Sequence, residues 1–224
     1  MPAERSAEVV ASRFPGWLTR FADGHRGGLG LDSDDSGRPV LHAADGAGAQ
    51  LDIAFDPGGQ WPDLDAILGH IASTARSQPY LLLLLRRGGW AVGRCAGERV
   101  TAGKVGTRYV QGRTKKGGSS QQRYARRRGN QADSVVSAAV GAAQSVWALS
   151  AANTPGPLVT GGDKLLIRAA LDLLGGRPPL MPAARTLDVP DPRRTVLDDA
   201  AVAACAVRVR VWDAPDARPA EIVR

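Results

Sequence analysis

A chain of 224 residues, 43% hydrophobic and 23% charged, has the composition of a folded globular protein and enough length to bury a substantial core in one large or two small domains. Its apolar runs, including the five leucines from Leu81 to Leu85, are far too short to span a bilayer, and Glu4 and Glu8 sit where a signal peptide needs an apolar core. A cytoplasmic protein with no membrane partner is expected, and the net charge of +7 calls for an explanation.

Taken in order, residues 5–22 set Val9, Val10, Phe14, Trp17, Leu18 and Phe21 at helical spacing, and Pro15-Gly16 predicts a division into two short elements. Gly24 to Gly37, rich in Gly and Asp, reads as a surface loop, with His25 as a solvated histidine that has no partner near in sequence. Residues 38–55 read as a hairpin about the turn Asp45-Gly46-Ala47-Gly48, with His42 as a plain strand residue. Leu64, Ile67, Leu68 and Ile71 recur at i, i+3, i+4 and i+7 and predict an amphipathic helix that also carries His70.

Tyr80 to Leu85 is continuously apolar, as a central strand covered on both faces must be. Turns at Arg86-Arg87-Gly88-Gly89 and Gly97-Glu98 make it the first strand of an antiparallel meander, whose last strand runs from Val100 to Gln111. A helix follows from about Gln121 to Ala151, with Val136, Val140, Ala143 and Trp147 on one face. Beyond the breaker Asn153–Pro157 come a strand at Leu158–Thr160, a helix Lys164–Leu174 capped by Asp163, a strand at Thr186–Val189, a helix from Arg193 to about Ala204 and a strand Cys205–Trp212. The economical architecture is α/β: a mixed β-sheet with helices on its faces. The domains expected are N-terminal helices and a hairpin over 1–75, packed on a main domain over 76–215, with a tail over 216–224.

The charge is local. From Arg99 to Ala132 there is no Asp or Glu, yet the stretch holds Arg99, Lys104, Arg108, Arg113, Lys115, Lys116, Arg123, Arg126, Arg127 and Arg128. Those ten of the 29 basic residues leave 19 against 22 acids elsewhere, so the rest of the chain is mildly acidic. A clustered positive field interleaved with Tyr109 and Tyr124 suits a phosphate backbone. Within it a strand is followed by a basic tract centred on Gly117-Gly118-Ser119-Ser120 and then a helix that opens on Gln121 and Gln122. Adjacent glycines carry no side chain to collide with a partner, which lets such a loop enter a confined site. Glutamine is neutral and both donates and accepts hydrogen bonds, so it can orient a water without ionising it.

Other chemistries find less support. GRTKKGGSSQ lacks the Walker spacing, and no GxGxxG follows a parallel strand. No Ser-His-Asp grouping is legible for Ser119 or Ser120, and the basic stretch has no carboxylates for acid/base work. The three histidines are widely spaced, and Cys95 and Cys205 lack any CxxC, so neither a metal nor a cofactor is expected and both thiols read as structural and reduced. Composition alone favours a non-catalytic RNA- or ribosome-binding protein.

The strings KVGTRYVQGRT, KKGGSSQQ and RYARRRGNQA go further: they resemble the release-factor-like peptidyl-tRNA hydrolases of ribosome quality control, relatives of the middle domain of the eukaryotic class I termination factor, and look most like the actinobacterial branch. The likeness is densest over about a fifth of the chain. It implies a release-factor catalytic-domain-like fold with a long basic strand-loop-helix finger over the region 76–215. It implies a hydrolase whose partners are peptidyl-tRNA and the large ribosomal subunit; a monomer is expected. Lys104, Arg108, Arg113, Lys115, Lys116, Arg123, Arg126, Arg127 and Arg128 would hold RNA, while Gly117, Gly118 and Ser119 form the loop beside a water-positioning glutamine. The termination factor places its glutamine directly after two glycines; here Ser119 and Ser120 intervene, which leaves Gln121 and Gln122 as alternatives, with Gln121 first after the loop. Cleavage of tRNA itself is a third activity linked to related proteins, for which no separate general base is visible.

Overall fold

The computed structural model describes residues 4–25, 27–58, 60–107, 121–148, 157–175 and 181–214, with the side chains of 121–132 and 181–184 left aside. The chain divides into two units, Met1–Ala75 with Cys205–Arg224, and Arg76–Ala204. No helix among the described residues is long and apolar enough to cross a membrane.

In the first unit, β1 (Glu4–Val9), β2 (Leu29–Ser33), β3 (Pro39–Ala43), β4 (Gly48–Asp52) and β10 (Val207–Trp212) form an antiparallel sheet in the order β1-β10-β4-β3-β2. Strands place alternate residues on opposite faces. One face therefore collects Leu41, Ala49, Leu51, Val207 and Val209, which pack with Phe14, Leu18 and Phe21 of α1 (Phe14–Asp23) and Ile67 and Ile71 of α2 (Leu64–Ser77). Arg208, Arg210, Gln50 and Asp52 fall on the other face.

Three expectations change here. Residues 4–9 are a strand and not the start of a helix, because their backbone partners are Val207–Trp212, some 200 residues away, which no local pattern reveals. Pro15 lies in the first turn of α1, where a missing N–H costs nothing, so the division from a preceding 3-10 turn, Ala11–Arg13, falls just ahead of Pro15-Gly16 and not at it. The Gly/Asp-rich tract contains β2, whose Leu29 and Leu31 pack against the core. Its turn is held by Asp34, whose carboxylate accepts from the Ser36 N–H at 2.8 Å and the Arg38 N–H at 2.9 Å. The bonds from Ser36, Arg38 and Gln50 hold its pKa down at about 2. The last strand also differs: β10 lies in this sheet beside β1 and β4, where the sequence alone had assigned 205–215 to the main domain. Alternating Val and Arg identify a strand with one buried face but not the sheet that buries it.

In the second unit, β5 (Pro79–Arg86), β6 (Gly89–Ala96) and β7 (Arg99–Thr107) form the predicted meander, and β8 (Pro157–Gly162) and β9 (Met181–Leu187) extend it in parallel on the far side of β5. The order is β7-β6-β5-β8-β9, a mixed sheet. Leu82 to Leu85 are all fully buried, as a strand with helices on both faces requires. Leu83, Leu85 and Val92 pack with α3 (Gln121–Ala148) and α4 (Lys164–Leu174). On the opposite face, Leu197 of α5 (Arg194–Cys205) meets Gly93 and Gly103, and the Tyr80 hydroxyl donates to the Ala201 carbonyl at 3.0 Å.

Asp163 caps α4 as expected: its carboxylate accepts from the Leu165 N–H at 2.9 Å and the Leu166 N–H at 3.3 Å. Asp163→Ala leaves these donors without that acceptor and is expected to cost about 1 kcal/mol, read as a lower urea midpoint.

Candidate functional site

The site begins where β7 ends. β7 is the edge strand of its sheet, and its last described residue, Thr107, precedes the basic tract. Two interactions fix this end. The Lys104 Nζ donates to Ser145 Oγ of α3 at 2.8 Å. At Gly106 a Cβ would collide with the Trp90 indole, which lies across the glycine and packs against the core cluster containing α3. A side chain at 106 would displace the ring, so glycine is required by close approach. Neither interaction was anticipated. Lys104 and Ser145 are 41 residues apart in sequence; the Gly106–Trp90 match could have been found by laying the predicted meander strands side by side.

On the other side of the tract stands α3, a helix of 28 residues, on the order of 42 Å long at 1.5 Å per residue. Its buried residues in the core cluster run from Val135 to Trp147 and include the predicted face Val136, Val140, Ala143 and Trp147. About 20 Å of helix axis precedes the first of them. Gln121 and Gln122 are the first two residues of this helix, and positions 123, 126 and 127 are neighbours on its surface by spacing, with 128 one step around. Arg108, Arg113, Lys115, Lys116, Gly117, Gly118 and Ser119 lie outside the described residues.

The structure therefore brings Lys104 to α3 and sets both glutamines on the first turn of that helix, with positions 123, 126, 127 and 128 in its first turns. A helix start leaves backbone N–H groups without intrahelical partners and carries the positive end of the helix dipole, which favours developing negative charge. Elsewhere, His25 and His70 have structural surroundings. His25 Nδ1 lies 2.8 Å from Asp45 Oδ2, whose carboxyl is held below its usual range first by that bond. His70 packs edge-on against Trp61 beside the Ala54 carbonyl. Among the described residues, no group of three or more His, Cys, Asp or Glu is arranged to hold a metal ion.

No curated protein matches the chain. A family model described as the Actinobacteria/chloroflexi VLRF1 release factor matches residues 78–210, more than half of the length. The match runs from the start of the meander through the basic tract, α3, α4 and α5 into β10. The α/β domain is thus release-factor-like, and the chain belongs to the Actinobacteria/chloroflexi VLRF1 release factor family.

Proposed function

We propose that the protein acts in translation as a peptidyl-tRNA hydrolase that frees nascent chains on stalled large ribosomal subunits. The observation that carries this is the continuity, inside the family match, of a fixed edge strand, a basic Gly-Gly tract and a helix opening on Gln121, Gln122 and the arginines. The cations at Lys104, Arg108, Arg113, Lys115, Lys116, Arg123, Arg126, Arg127 and Arg128 hold the acceptor end of the tRNA by its phosphates. Gly117, Gly118 and Ser119 enter the peptidyl-transferase centre, where their small size lets backbone approach the ester closely.

Hydrolysis adds water across the ester between the peptide and the terminal adenosine. The water oxygen bonds to the carbonyl carbon, the C–O bond to the ribose breaks, one water proton restores the ribose hydroxyl, and the peptide leaves as a carboxylate with the other proton released to solvent. The ester is already reactive, so placing the water supplies much of the catalysis. Gln121 accepts a hydrogen bond from that water through its amide oxygen and orients it. Free N–H groups of the loop and of the start of α3 stabilise the oxyanion. The protein works as a monomer in the cytoplasm, with water as the sole co-reactant.

The test is release of a labelled peptide from peptidyl-tRNA on purified large subunits. Release by the wild-type protein is expected; binding to the subunit without release would favour a non-catalytic RNA-binding factor. The Lys104–Ser145 bond adds a finer expectation. Lys104→Met should lower the salt slope of RNA binding by about 1, as removal of one phosphate partner does. Ser145→Ala frees the ammonium without removing it, and should weaken binding by roughly threefold with the slope unchanged.

A further inference from the structure

Strands β5, β7, β8 and β9 of the second unit all run in one direction, since β5, β8 and β9 are mutually parallel and β7 is antiparallel to β6, itself antiparallel to β5. Their C-terminal ends therefore share one edge of the sheet, the edge outside which open α/β sheets bind their ligands. At this edge Thr107, which leads into the basic tract, pairs with Gly89 at the foot of the β5–β6 hairpin. The hairpin is tied sideways along the same edge. Arg86 Nε donates to the Val189 carbonyl at 2.6 Å and Arg86 Nη2 to Asp188 Oδ1 at 2.9 Å. A Cβ on Gly88 would stand 3.3 Å from the Asp191 carboxylate, and Arg87 Nε lies 3.9 Å from Asp163 Oδ2. The turn between β5 and β6, the turn into α4 and the loop into α5 thus form one continuous rim beside the start of the basic tract.

Three exposed cations stand on this rim. Arg87 has 78% of its side chain exposed, and its approach to Asp163 is longer than a hydrogen bond, so this pairing contributes little. Lys164, the first residue of α4, and Arg193, just before α5, are exposed and have no acidic side chain paired with them among the described residues. The acids of the rim are partly engaged. Asp188 is held by Arg86 and Asp163 caps α4, while Asp191 stays beside Gly88.

We propose that Arg87, Lys164 and Arg193 form a second row of phosphate-binding groups for the RNA, outside the basic run of 104–128. The proposal rests on the reading of the chain as a tRNA-binding factor and extends its footprint across the end of the sheet. The rim adjoins Thr107, where the basic tract begins, so an RNA held by that tract can lay further phosphates against it. A guanidinium or ammonium with no strong partner can meet a phosphate there at little cost while releasing counterions. The three residues are separated by 77 and 29 positions, so no run of charge in the sequence marks them.

The probe is an RNA minihelix with a single-stranded 3′ end, its Kd followed over a series of salt concentrations. The variant Arg87→Ala/Lys164→Ala/Arg193→Ala should lower the salt slope by roughly 2 to 3 and weaken binding at low salt. Lys164→Gln alone should lower it by roughly 1. Arg76→Ala, the same loss of exposed charge just ahead of β5 and so at the opposite edge of the sheet, should change neither. The proposal is overturned if the triple variant binds as the wild type does while Arg126→Ala/Arg127→Ala/Arg128→Ala loses affinity. It is also overturned if Arg76→Ala weakens binding as much as Lys164→Gln, which would mark an effect of net charge. If the wild-type protein does not bind the minihelix, the RNA-binding reading itself falls, and this proposal with it.

Discussion

Gln121→Ala is expected to lower peptide release by about 10²–10³-fold while leaving affinity for the subunit unchanged, because in the proposed mechanism it removes the group that places the water and none that grips RNA. A glutamine cannot be replaced in this role by general polarity. The water needs an acceptor at a fixed distance from the carbonyl carbon, and misplacement by about 1 Å costs on the order of 10²-fold. The loss should appear in the rate at saturating protein, with the concentration for half-maximal release little changed. Gln122→Ala is expected to have a smaller effect. Positions 121 and 122 are successive on the first turn of α3 and lie about 100° apart around its axis, so the two are not interchangeable in placing one water. If the large loss falls on Gln122→Ala and spares Gln121→Ala, the water belongs to Gln122 and the chemistry is unchanged.

Removing the charges at Arg126, Arg127 and Arg128 together should act in the opposite way. Without three cations to neutralise phosphates, the slope of log affinity against log salt falls by roughly 2 to 3. Because counterion release fades toward about 1 M salt, the same variant should bind about 10²-fold more weakly at 0.1 M. Release at saturating concentration should survive, since the ester, the water and the glutamine are untouched. A Kd titration over several salt concentrations reads both quantities. Equal weakening at every salt concentration would mean that the helix start had been damaged and not merely discharged.

Much of the second unit was legible in the sequence because its signals are local. The apolar run ending at Leu85 reads as a strand covered on both faces, and Leu82 to Leu85 are fully buried, while Val136, Val140, Ala143 and Trp147 recur at helical spacing. The cap at Asp163 follows from its place before an amphipathic run. What escaped was set by partners distant in sequence. Residues 4–9 are a strand only because Val207–Trp212 supply their hydrogen bonds, and β10 shows its buried face without showing which sheet buries it. The same limit applies at the site. The basic tract, the glycine pair and the two glutamines stand in the sequence as a string. The anchoring of Lys104 by Ser145, the seat of Trp90 on Gly106 and the rim carrying Arg87, Lys164 and Arg193 exist only once the sheet is assembled.

In the proposed reaction water attacks the ester between peptide and tRNA, so release on purified large subunits in ¹⁸O-labelled water, with both products examined, separates hydrolysis from cleavage of the RNA. Hydrolysis predicts one ¹⁸O atom in the C-terminal carboxylate of the freed peptide and a tRNA with its 3′ end intact. A tRNA shortened at its 3′ end, with the peptide still esterified to the fragment, would contradict it and assign the protein to RNA cleavage.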